Sequence, residues 1–175
     1  MRRAIPPTTI LLALTLALSS CGSDPASTAV NSPTTTTGVI RPATPAARLE
    51  AAARSAIEQA HRTSVEVLWT NRVPSNPSAN GGPALASLRR SAAQRRKAGV
   101  RVKVLSERFH IVGLQLDPSY ATAMATVIDD ERVQPSYPNG RPRGKAAALK
   151  EHVRLDLRRV DNTERFIVWK VVLLP

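Results

Sequence analysis

Residues 83–104 read PALASLRRSAAQRRKAGVRVKV, and inside this stretch the hydrophobic period changes. Pro83 suits the first position of a helix, where its missing N–H costs nothing. Leu85, Leu88 and Ala92 recur at three- and four-residue steps and predict an inner helix face. Gly99 supplies a left-handed residue to close that helix. Beyond it Val100, Val102 and Val104 alternate with Arg101 and Lys103, the two-residue period of a strand. The period does not return to 3.6 further on. The chain therefore divides into a helical first part and a stranded second part.

On the stranded side, Phe109–Leu116 is a second extended piece, with Gly113 marking a bulge or bend. Tyr120–Val133 alternates again: Ala121, Ala123, Ala125 and Val127 face one way, and Thr122, Met124, Thr126 and Ile128 the other. Residues 134–145 (QPSYPNGRPRGK) form a Pro-rich loop. Val153, Leu155 and Leu157 alternate with His152, Arg154, Asp156 and Arg158. Asp161-Asn162 turns the chain into Phe166–Leu174 (FIVWKVVLL), apolar on both faces and read as central in the sheet. On the helical side, Thr44 is a cap and Pro45 a first helical residue. Leu49, Ala53, Ile57, Ala60, Ser64 and Leu68 make one apolar stripe, ending near Trp69. Segregated helices and strands mean an α+β fold: two N-terminal helices packed on a curved antiparallel sheet of four to five strands.

The N-terminus reads as an address. Met1-Arg2-Arg3 is basic, Ile10–Leu18 is an apolar run broken only by Thr15, and small residues follow. This is the layout of a secretory signal. The run is about half of the roughly 20 residues a transmembrane helix requires. It ends in Leu18-Ser19-Ser20-Cys21, which resembles the lipobox of bacterial lipoproteins. The resemblance implies cleavage before Cys21 and attachment of a diacylglycerol to its thiol. Residues 1–20 are then the signal peptide, and 21–43 the lipidated cysteine with a Ser/Thr/Pro tether of too little apolar content to offset its ordering entropy. Residues 44–175 form the domain. Cys21 is the only cysteine, which excludes an internal disulfide and a Cys-rich zinc site.

The net charge is +12, with twenty arginines against five lysines. Removing residues 1–20 takes Arg2 and Arg3 and no acid, which lowers the charge by two. A basic chain is drawn to anionic surfaces. Outside the cytoplasm those are lipid head groups and wall polymers rather than nucleic acid. The densest basic cluster is Arg89, Arg90, Arg95, Arg96 and Lys97. Its ordinary reading is a solvated helix face; its sharper reading is a patch against anionic lipid, worth about 1 kcal/mol per residue near the surface. It lacks the interleaved aromatics that stack bases.

Three stretches, GPALASLRRSAAQRRKAGV (82–100), ATAMATVIDD (121–130) and RRVDNTERFIVWKV (158–171), lie in the same order as in a known group. In that order they resemble small lipoproteins of high-GC Gram-positive bacteria carrying a nuclear-transport-factor-two-like, or SnoaL-like, cone-fold domain. The resemblance spans about residues 44–175 and implies a sheet curled around the long helix with a pocket between them. Enzymes of the wider group use a pocket carboxylate as base, whose pKa apolar burial raises.

In this chain the acids of the helices and turns serve the fold: Glu50 and Glu58 pair with Arg54 and Arg62 at i,i+4, and Asp117-Pro118-Ser119 is a turn. Asp129-Asp130-Glu131 is placed at a strand end, with Asp130 the candidate facing the pocket. Trp69, His110 and Trp169 are the other candidate lining residues. His61 and His152 read as surface or satisfied side chains, and the three histidines are too scattered to suggest a metal. No catalytic residue and no cofactor is expected, and motifs for phosphate cradling or a nucleophile elbow do not occur. The sequence leads to a lipid-anchored extracytoplasmic binding or accessory module of the cell envelope. Its alternatives are a small-molecule enzyme of the SnoaL or ketosteroid-isomerase type and an assembly subunit of an envelope complex. The expected partners are membrane lipid through Cys21, then anionic lipid or an envelope protein. The oligomeric state is left open, a dimer included.

Overall fold

The computed structural model describes residues 44–161 and 163–175. Cys21, the signal and the tether lie outside the described residues. The elements run α1 (Pro45–Thr70), α2 (Gly82–Lys97), β1 (Arg101–Leu116), β2 (Thr122–Ser136), β3 (Ala147–Arg159) and β4 (Phe166–Leu173). The four strands form one antiparallel sheet in the order β1-β2-β3-β4, so the protein is α+β. Among the described residues no helix is long and apolar enough to cross a membrane.

The helix ends follow their caps. The Thr44 hydroxyl accepts from the Ala47 N–H, with Pro45 next to it. At the other end of α1, Asn71 takes a left-handed conformation and its N–H bonds to the Val67 carbonyl. Leu49, Ala53, Ala56, Ile57, Ala60 and Val67 are buried along α1. On α2 the buried residues are Ala84 and Ala92, and Leu85 and Leu88 are half-buried.

The predicted pieces beginning at Val100 and Phe109 merge into one long strand, β1, which starts at Arg101. Register shifts between Val104 and Ser106 and between Ile111 and Gly113 keep its pairing with β2. Such bulges bend a strand and re-aim its side chains without ending it. The Pro-rich segment is shorter than the sequence predicts, because β2 continues to Ser136. β4 is an edge strand, not a central one. It pairs with Val153–Arg159, and on its other side the segment around Asn80 bridges it: Val168 N–H donates to the Ala79 carbonyl at 2.8 Å and Gly81 N–H to the Val168 carbonyl at 3.0 Å.

The core lies between α1 and the sheet. Ala53, Ala56 and Ile57 meet Ala123, Ala125, Leu155, Leu157 and Val168. Small residues line both sides of this contact. The backbone of α1 lies near β1 and β4, the two edge strands.

Arg95 belongs to this framework and not to a solvated patch. Its guanidinium donates to Asn71 Oδ1 at 2.9 Å and to the Val67 carbonyl at 3.3 Å. Asn71, buried, donates in turn to the Val100 carbonyl at 2.6 Å. The three residues tie the end of α1 to the corner where α2 turns into β1. The reason is position: Arg95 continues the inward line of Leu88 and Ala92. Partial burial lowers its pKa from the ordinary arginine value. Arg89, Arg90, Arg96 and Lys97 are exposed.

Candidate functional site

Beyond the closely packed end, helices and sheet separate around a cavity of about 480 Å3. Its walls are mainly aliphatic: Ile57, Val65 and Leu68 from α1, Leu88 from α2, and Val102, Val127, Val133 and Val153 from the sheet. Leu149 and Glu151 stand at the rim, on the part of β3 that β4 does not reach.

Ser64, Asn80, Ser87, Ser91 and Arg95 also line the cavity, and the carboxylates gather at one place. Along β2 the inward residues are Ala123, Ala125, Val127, Asp129, Glu131 and Val133, by strict alternation. Asp129 and Glu131 therefore share the cavity face two residues apart. Opposite them is His61, one helical turn beyond Ile57 on the stripe of α1. Its side chain is 10 % exposed, and its ring stacks on Phe109 with centroids 4.0 Å apart. Asp129 Oδ2 lies 3.5 Å from His61 Nδ1, and Glu107 Oε2 lies 3.5 Å from His61 Nε2. The strand registers Glu107↔Glu131 and Asp129↔Glu151 bring four of the chain's thirteen acids around one histidine. Among the described residues no lysine or arginine makes an ion pair with any of the four.

Desolvation without a lysine or arginine partner has the expected effect. Burial, then the charges of Asp129, Glu107 and Glu151, push the Glu131 carboxyl up to about 7. Burial raises Asp129 as well, against the pull of His61 and with further pushes from Glu151, Glu107 and Asp130. His61 Nε2 and Asp129 Oδ1 are buried with no hydrogen-bond partner.

The lining residues predicted from sequence are placed elsewhere. Asp130 is exposed, because the same alternation that turns Asp129 and Glu131 inward turns it out. The trio also lies within β2 and not at its end. His110 is exposed for the same reason, with Phe109 taking the inward position. Trp69 follows the buried Val67 at the end of α1 and is 37 % exposed, with the Arg101 guanidinium 5.7 Å from its ring centroid. Trp169 borders a second concavity beside Asp117, Met124, Asp156 and Lys170, under the Arg158 guanidinium at 4.1 Å. His61 is neither at the surface nor satisfied. Asp117 is the turn residue expected: its carboxylate accepts from Ser119 and Thr122, which holds it below the usual carboxylate range.

No protein-family model matches the chain, and no curated protein matches it. Among solved structures it is similar to the intermembrane-space region of the chloroplast protein ARC6, at 11 % identity and a TM-score of 0.60, covering 71 % of this chain and 95 % of that one. A protein from Catenulispora acidiphila is matched at 14 % identity and a TM-score of 0.37, over 70 % of this chain and 92 % of that one. The first likeness shows a shared fold and nothing of function.

Proposed function

We propose that the chain is a lipid-anchored extracytoplasmic module. Its domain, of the cone-like type, takes up one small amphipathic molecule from the cell envelope without turning it over. The observation behind this reading is the 480 Å3 cavity walled mainly by aliphatic side chains, with one cluster of carboxylates beside His61. Cavities of about 300–1,000 Å3 with few convergent polar groups are the usual form of small-ligand sites. An apolar body fits against Ile57, Leu88, Val133 and Val153, and a hydrogen-bond-donating or cationic head meets the carboxylates. The nearness of α1 to both edge strands supports a sheet curled around the helix.

The test uses a neutral apolar fluorophore, N-phenyl-1-naphthylamine, titrated into the purified chain. Ser91 lines the cavity from α2, so Ser91→Trp fills it. Saturable binding weakened at least about tenfold by Ser91→Trp supports the reading, and equal binding by both chains contradicts it. For the anchor, Cys21→Ser is expected to abolish lipid labelling and release the protein from membranes. Unchanged labelling removes the lipoprotein half of the proposal.

The His61–Asp129–Glu131 cluster favours a second reading, acid–base turnover of a small molecule by a SnoaL-type enzyme. A carboxyl titrating near neutrality is poised to give or take a proton. Turnover that is lost in Glu131→Gln while fluorophore binding persists would replace the binding reading with this one.

A further inference from the structure

We propose that His61, Asp129 and Glu131 form a binding site for one divalent first-row transition ion, of the zinc class, at the polar end of the cavity. The inference goes beyond ligand uptake and does not depend on it, because the ion is detectable with no other ligand present.

Geometry supports it first. One ligand atom from each of the three side chains lies within 4.8 Å of the other two. Around an ion bound to nitrogen and oxygen at roughly 2.0–2.2 Å, ligand atoms sit about 3–3.6 Å apart. Closing that difference requires side-chain rotation of an ångström or so, not backbone movement. Asp129 and Glu131 are already fixed on one face of β2, and stacking on Phe109 holds the His61 ring opposite them.

The second support is unmet bonding. His61 is nine-tenths buried, its Nε2 has no partner, and Asp129 Oδ1 is buried without one. Buried polar atoms are almost always bonded, and buried charge is paired or coordinates metal. Glu107 and Glu151 add further negative charge beside the three, and no Lys or Arg among the described residues answers it. A divalent ion held through Nδ1 would satisfy the carboxylates and leave the proton on Nε2, where Glu107 Oε2 at 3.5 Å is the acceptor in reach.

The donor set chooses the class of ion. An imidazole nitrogen with two carboxylates suits zinc and its first-row neighbours, whereas magnesium and calcium prefer oxygen alone. If Nδ1, which faces Asp129, is the ligating nitrogen, then Nε2 faces Glu107 at 3.5 Å. That is the carboxylate–histidine–metal arrangement in which an outer carboxylate orients the ring. Three protein ligands leave a fourth position directed at the cavity, the form of zinc sites that accept water or a ligand atom. With the ion bound, the head of a bound molecule would meet it through a lone-pair atom rather than donate to the carboxylates.

The experiment titrates zinc chloride alone into the full chain carrying Cys21→Ser, stripped with chelator, so that the thiol cannot take the metal. Calorimetry should show one zinc per chain. His61→Ala and Glu131→Gln, each checked for an unchanged circular dichroism spectrum, should weaken binding at least about tenfold. A double variant of the exposed histidines, His110→Ala with His152→Ala, should leave it unchanged. Cobalt(II) in place of zinc should give visible absorption bands that the His61→Ala chain lacks. Absence of stoichiometric zinc binding overturns the proposal. So does zinc binding that survives His61→Ala and Glu131→Gln, or magnesium binding as tight as zinc. These outcomes leave fluorophore binding untouched, so failure of the metal site and failure of the cavity as a ligand site are told apart.

Discussion

The two ends of β2 present the same face to the same helix and do opposite things. From Ala123 to Val127 the inward side chains are small and apolar, and with Ala53, Ala56 and Ile57 of α1 they belong to the buried core. From Asp129 to Val133 the inward side chains include two carboxylates, and the layers stand apart around a cavity. Dense packing supplies stability at the first end, where almost every side chain is aliphatic and buried. The second end gives up part of that burial and holds desolvated carboxylates, which costs stability. In the proposed reading, that cost is offset by what the cavity binds.

Substitutions should therefore divide by end, and the largest loss belongs to the closed one. Leu157 is 1 % exposed in the core. Leu157→Ala should lower unfolding stability by about 2–5 kcal/mol, read from the urea midpoint at constant slope. A loss below about 1 kcal/mol would mean that the closed end is not where stability resides.

Gly82 should come next. Its φ is +47°, and an added Cβ would lie 2.6–2.8 Å from the Trp169 ring. A left-handed conformation and a ring that β4 holds in place both oppose a side chain there. Gly82→Ala should cost about 1–3 kcal/mol without changing fluorophore binding, since Trp169 lies outside the cavity. Full stability in this variant would mean that α2 and Trp169 are not in contact.

Much of this was legible in the sequence. The switch from helical to strand period at Gly99, the Thr44-Pro45 start and an antiparallel meander of four to five strands follow from local rules. The merger of two predicted strands into β1 was not legible, because bulges are settled by pairing with β2. The edge position of β4 was hidden too: Phe166–Leu174 is apolar on both faces because Trp169 and its neighbours meet Gly81 and Gly82 outside the sheet.

The cluster was within reach. Carrying the alternation of Ala123, Ala125 and Val127 forward four residues turns Asp129 and Glu131 inward and Asp130 outward. Carrying the stripe of α1 one turn beyond Ile57 reaches His61. What no local pattern contains is that helix and strand bring these residues together, or that α1 and the sheet separate at that level and leave a space.

The central claim is that the open end holds carboxylates partly shielded from solvent with no lysine or arginine partner. Its most direct test is the pH dependence of stability in metal-free protein. Glu131 titrates near 7 in the folded chain against 4.5 for the ordinary side chain. Between those values the folded state binds more protons than the unfolded one. Unfolding free energy should then fall as pH rises through that window and level off above it. Asp129, also raised, acts in the same direction. Asp117, lowered, acts in the opposite direction and only at more acid pH. Urea unfolding of the wild type and Glu131→Gln from pH 5 to 8.5 should show the wild type losing stability more steeply, with the variant the more stable of the two above pH 7. Parallel curves, or a wild type that gains stability over this range relative to Glu131→Gln, would contradict the account.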